Sequence, residues 1–77
     1  MAFSLDILAS NIRTRRRALD LSQTELAERA GLTPDLIWNY ERGNYTPGAD
    51  KAYAIAEALG CTLDELCGFA VMPGEEE

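Results

Sequence analysis

Residues 21–43 constrain this chain more than any other stretch. Ser22 and Glu25 stand three positions apart at the head of an apolar stripe made by Leu26, Ala27 and Ala30. A Ser-x-x-Glu spacing satisfies two free backbone N–H groups at once and marks a helix start. Gly31 falls where the stripe stops, a position that favours a left-handed residue. Thr33 can cap a second helix with Pro34 in its first turn, where the missing N–H costs nothing. Ile37 and Tyr40 form the inward face of that helix before Gly43 ends it. The stretch therefore reads as two short helices joined by a tight turn.

Apolar spacing extends the same reading to five helices. The first is expected over about Ser4–Ala18, with Leu5, Leu8, Ile12 and Leu19 recurring at intervals of three and four. The second and third cover about Gln23–Arg29 and Pro34–Glu41, and 43–48 is a loop on composition. The fourth runs over about Ala49–Leu59, with Ala52, Ile55, Ala56 and Leu59 inward and Gly60 as its stop. The fifth starts at Thr62, with Glu65 completing a second capping box, and reaches about Cys67. Strand signals are absent. Continuing the first stripe lands on Arg16, and continuing the third lands on Glu41. A charge on an inward face requires a partner. Either the two pair and fasten the first helix to the third, or each snorkels outward by itself; the pair is the favoured reading.

Seventy-seven residues suffice for one small domain, here drawn as 1–74, followed by an acidic tail, Glu75 to Glu77. No run of about 18 apolar residues and no signal-peptide order are present, so no membrane association and a cytoplasmic location are expected. With two cysteines, Cys61 and Cys67, and no histidine, neither a metal site nor a cofactor is expected. The net charge of −6 is unevenly spread. Residues 1–46 hold six arginines against six acids, whereas 47–77 hold Lys51 against seven acids. Nucleic-acid-binding domains are usually basic, so the neutral N-terminal portion is the half that suits such a partner.

Two helices about a short turn make a helix-turn-helix, whose second helix can lie in the DNA major groove. The string Leu21-Ser22-Gln23, Glu25-Leu26-Ala27, Ala30-Gly31, Ile37, Tyr40-Glu41-Arg42-Gly43, Pro47, Ala56, Ala58-Leu59-Gly60 and Leu63-Asp64-Glu65-Leu66 resembles the Cro/C1-type (XRE-type) helix-turn-helix domain of phage repressors and small bacterial regulators. The likeness covers roughly Leu8 to Gly68. It implies an all-α fold, a compact five-helix lambda-repressor-like DNA-binding domain, and it also implies an Arg16–Glu41 ion pair.

The same resemblance implies a division of labour. Base-reading positions carry over onto Pro34, Asp35 and Asn39. Pro34 can only touch a thymine methyl, Asp35 can only accept and so suits cytosine N4, and Asn39 can pair with adenine N6 and N7. Trp38 points about 100° away from Ile37, toward a DNA edge, a neighbouring helix or a protein interface. Gln23, at a helix N-terminus, is expected on phosphate. Arg42, Gly43, Asn44 and Thr46 are expected to clamp phosphate, with Arg13 and Arg17 adding charge. Of Arg13, Arg15 and Arg17, not all can share one face.

Nothing in the sequence resembles an enzyme: there is no histidine, phosphate loop, nucleophile–base pair or ligand cluster. The reading is a sequence-specific double-stranded DNA-binding regulator, a small phage- or mobile-element-type repressor that excludes polymerase by occupying its operator. Activation through contact with RNA polymerase is a variant, since restriction–modification controllers resemble this pattern too. One recognition helix reads few base pairs, so a weak homodimer through Leu66, Phe69, Val71 and Met72 is expected. The alternative is a protein-binding module, an antitoxin-like partner with a reduced DNA role, suggested by Pro34, Asp35, Trp38 and the net negative charge.

Overall fold

The computed structural model describes residues 3–69. They form five helices, α1 (Leu5–Ala18), α2 (Gln23–Ala30), α3 (Pro34–Glu41), α4 (Ala49–Leu59) and α5 (Leu63–Cys67), and no strand. Val71, Met72 and the tail Glu75 to Glu77 lie outside the described residues, so the proposed domain end at 74 does as well.

Local chemistry sets the helix starts. Ser4 Oγ accepts from the Ile7 N–H, and Thr33 Oγ1 accepts from the Leu36 N–H with Pro34 in the first turn. Both expected capping boxes form. The Ser22 and Thr62 side chains accept from the Glu25 and Glu65 N–H groups at 3.0 Å, while each glutamate accepts the cap residue's own N–H at 2.8 Å. These bonds depress the Glu25 and Glu65 carboxyl pKa values, because only the ionised form serves fully as acceptor. The tight turn between α2 and α3 is made by Gly31 at φ 71°, and the Leu32 N–H closes it on the Ala27 carbonyl at 2.8 Å.

The core is the sum of the inward stripes. Leu8 and Ile12 of α1, Leu26 and Ala27 of α2, Ile37 and Tyr40 of α3, Ile55, Ala56 and Leu59 of α4 and Leu66 of α5 form one cluster. α2 lies between α3 and α4, and α1 packs across α3 and α5. Leu19, expected on the first stripe, is instead 48% exposed. The helix ends one residue earlier, Asp20 turns the chain at φ 60°, and Leu21 takes the inward place. α2 reaches Ala30, one residue beyond its expected end, and Ala30 packs against the cluster.

Candidate nucleic-acid interface

α3 divides cleanly around its circumference. Leu36, Ile37, Tyr40 and Glu41 face the protein, whereas Pro34, Asp35, Trp38 and Arg42 are exposed. At 3.6 residues per turn the four exposed positions fall within an arc of about 100°. They make one continuous face, with α2 and the 43–48 loop on its borders.

A buried polar hub fixes the angle of that face. Arg16 Nε and Nη2 donate to the two carboxylate oxygens of Glu41 at 2.6 and 3.0 Å, and the side chains are 11% and 3% exposed. Arg16 Nη1 donates to the Leu21 carbonyl at 2.7 Å, and Gln23 Nε2 donates to Glu41 Oε1 at 3.1 Å. Hydrogen bonding to Glu41 pushes the already high Arg16 pKa further up, against the opposing effect of burial. Arg13 Nη1 donates to the Glu41 backbone carbonyl at 2.9 Å, serving one of the free carbonyls at the end of α3. Among the described residues no buried side-chain polar atom lacks a partner.

The hub changes what several residues can offer. Gln23 sits at the N-terminus of α2 as expected, but one of its two amide N–H groups is held by Glu41. Arg13 is directed at the end of α3, while Arg15 acts electrostatically on Cys61 and Glu65 beside α5, and Arg17 is exposed. Arg13 and Arg15 thus serve different neighbours. Cys61 and Cys67 are free, half-buried thiols whose pKa values are raised by burial.

Asn39 departs from its expected place among the exposed readers. It is only 8% exposed, and its amide is spent inside the protein. Nδ2 donates to the Asp35 carbonyl at 2.9 Å and approaches Asp35 Oδ2 at 3.4 Å, while Oδ1 accepts from Asn44 Nδ2 at 3.0 Å. The reason is angular: Asn39 lies about 40° beyond Asp35 around the helix, between the exposed arc and the packed side. The i, i+4 spacing of Asp35 and Asn39 is the signal in the sequence that points to this contact. Helical spacing does not reveal the Arg13 and Gln23 bonds, which depend on how α1 and α2 are set against α3.

At the C-terminal end of the exposed arc, the Arg42 guanidinium carbon lies 4.7 Å from the Trp38 ring centroid. Trp38 is 44% exposed, and Arg42 makes no ion pair among the described residues. Gly43 follows at φ 73°, a left-handed conformation that glycine adopts without strain, and carries the chain into Asn44, Tyr45 and Thr46, all exposed. Leu66 is removed from the expected association surface. It is fully buried in the core because the short α5 turns its single apolar stripe inward. Phe69 is half-buried at the end of the described chain.

Residues 12–66, more than half of the chain, match the helix-turn-helix family. The chain belongs to the Cro/C1-type helix-turn-helix family. It is 49% identical over 49 residues to an uncharacterized HTH-type transcriptional regulator of Methanothermobacter thermautotrophicus, an alignment covering 64% of this chain and 71% of that protein. The chain spans 53% and 30% of the length of two further relatives. Among solved structures it superimposes on the P22 c2 repressor in complex with a synthetic operator, with a TM-score of 0.78 and 28% identity, covering 83% of this chain and 97% of that one. The restriction–modification controller protein C.AhdI from Aeromonas hydrophila gives a TM-score of 0.78 at 31% identity, covering 80% and 94%. The lambda-repressor-like architecture of this helix-turn-helix chain is that of its structural neighbours. No described helix is long and apolar enough to cross a membrane.

Proposed function

We propose that this chain is a sequence-specific double-stranded DNA-binding transcriptional regulator, acting in the cytoplasm as a small repressor by occupying an operator and excluding RNA polymerase. The observation that carries this reading is the single exposed arc of Pro34, Asp35, Trp38 and Arg42 on α3, in a family whose solved relatives include a repressor bound to operator DNA. In this reading α3 enters the major groove with its N-terminal end toward the base edges. Asp35 accepts from a cytosine amino group, and Pro34 and Trp38 supply apolar contact.

Phosphate contacts set the register. Gln23 contributes its remaining N–H at the α2 N-terminus, Arg42 its guanidinium, and Gly43, Asn44 and Thr46 their loop groups. Arg17 adds charge at long range, with Arg13 behind it. A homodimer through Phe69, Val71 and Met72 provides two readers for half-sites about 34 Å apart. An operator beside a promoter gives the same protein a direct polymerase contact.

The test is selection of duplexes from a random-sequence pool, followed by affinity measurement against random duplex at several salt concentrations. The expected result is one enriched sequence with two-fold symmetry, bound far more tightly than random duplex. Binding that never exceeds the random-duplex level, even at low salt, overturns the reading in favour of a protein partner.

A further inference from the structure

Asn39 is a polar side chain with nearly complete internal bonding, beside the exposed Asp35 carboxylate on the proposed reading face. Its Nδ2 serves both the backbone carbonyl and the carboxylate of Asp35, and its Oδ1 serves the side chain of Asn44. Its backbone carbonyl accepts from the Asn44 N–H at 2.9 Å. One residue thus joins the first turn of α3 to the loop beyond its end. We infer that Asn39 is a positioning residue that sets the Asp35 carboxylate and the Asn44 amide in their reading and clamping orientations, and that it does not itself contact a base. The inference rests on the DNA-binding reading above and names the side-chain bracket on which its specificity depends.

A side-chain amide can donate two hydrogen bonds and accept about two. For Asn39 to pair bidentately with adenine it must withdraw an Nδ2 proton from Asp35, offer the Oδ1 lone pair that Asn44 leaves free, and bring a buried amide to the surface. That exchange forfeits a bond already made and removes the restraint on the Asp35 carboxylate. Asp35 faces the opposite circumstance. It is exposed, can only accept, and is held lightly, by one long contact to Oδ2 at 3.4 Å. A carboxylate on a free rotor would sample several orientations, so a lateral amide that restrains it favours one base donor over others.

The experiment compares duplex selection by the wild type, Asp35→Ala, Asn39→Ala and the isosteric Asn39→Asp. Asn39→Asp keeps the shape but replaces the donor with a second carboxylate facing Asp35. The expected result is that Asp35→Ala and both Asn39 variants broaden preference at the same base pair. There the preferred base loses about 5- to 100-fold in discrimination, and the double variant Asp35→Ala with Asn39→Asp is no broader than Asp35→Ala alone. A changed preference at a base pair that Asp35→Ala leaves intact makes Asn39 a reader and overturns the inference. Unchanged preferences at every position do the same. Side-chain amide exchange in the free wild-type protein supplies an arm independent of DNA: Asn39 protons are expected to be protected, and Asn44 to shift in Asn39→Asp. A freely exchanging Asn39 amide overturns the bracket itself. A wild type that selects no duplex but shows this protection defeats the DNA-binding reading, and with it the positioning role, while leaving the bracket intact.

Discussion

Arg16 and Glu41 meet as a two-pronged pair between α1 and α3, with Nε and Nη2 of one on the two carboxylate oxygens of the other. Further capacity is used as well, since Leu21 takes a third guanidinium bond and Gln23 gives Glu41 a further donor. Removing one partner leaves the other charge buried, which costs far more than the pair contributes in net stability. Arg16→Ala is therefore expected to destabilise the domain by about 3–5 kcal/mol, a large share of the stability of a chain this small. Arg16→Lys is expected to rescue little, because an ammonium cannot reproduce the planar fork. Replacing both residues with apolar side chains of similar volume is expected to recover much of the loss. Urea midpoints decide the matter, and small, equal losses for the two single variants would show that the pair is not buried in solution.

The capping boxes give stability an acid limb. Glu25 is held below its ordinary value of 4.5 first by the Ser22 N–H and then by the Ser22 side chain. Glu65 is held below 4.5 first by the Thr62 N–H, with the Thr62 side chain and Arg15 assisting. A carboxyl depressed on folding contributes stability that is complete above its unfolded pKa and lost as pH falls through the folded one. The melting temperature is thus expected to fall on acidification below about pH 4.5. Glutamine keeps an oxygen for the cap N–H but cannot titrate, so Glu25→Gln with Glu65→Gln is expected to show a shallower fall over that window. An acid limb unchanged in the double variant would remove the boxes from the account.

Much of this architecture is legible in the sequence because its signals are local. Ser22 with Glu25, Thr62 with Glu65, and Thr33 before Pro34 each settle a helix start within four residues, and the structure has all three. Arg16 and Glu41 are recognisable as an inward pair because the apolar period of each helix runs through them. Leu19 fails the same logic: periodicity assumes the helix continues, and Asp20 ends that assumption with a left-handed turn. Asn39 is less legible because Asp35, one turn earlier, takes its amide donor, and Asn44 approaches it only once the loop is folded. Leu66 fails because apolar character alone does not distinguish the domain core from a surface for a second copy.

Trp38 and Arg42 form a stacked pair at the rim of the exposed arc. The indole face restrains the guanidinium, so less freedom would be lost in a phosphate contact by Arg42. Arg42→Ala is expected to weaken binding to all sequences and to lower the salt slope by about 1. Trp38→Ala is expected to keep the slope while costing about 0.5–1 kcal/mol of affinity, and Trp38→Phe to retain most of it. Trp38 is the sole tryptophan, so its emission reports the same event directly. Emission that is indifferent to bound duplex, together with wild-type affinity in Trp38→Ala, would place the pair away from the DNA.

Leu66 and Phe69, three positions apart, separate folding from association. Leu66 is enclosed by the core, so Leu66→Ala is expected to cost about 2–5 kcal/mol at any protein concentration. Phe69 is half-buried beyond α5, and the exposed Ile7 reaches close beside the intervening Gly68, with its Cγ2 2.8 Å from where a side chain would begin there. An apolar surface at that end of the molecule suits a second copy of the chain. Phe69→Asp is expected to convert a weak dimer at high micromolar concentration into a monomer in sedimentation and to weaken operator binding. Its urea midpoint at low protein concentration is expected to change little, because Phe69 is not part of the enclosed core. A wild type that sediments as a pure monomer at high concentration, with Phe69→Asp altering stability but not operator affinity, would instead assign Phe69 to its own subunit.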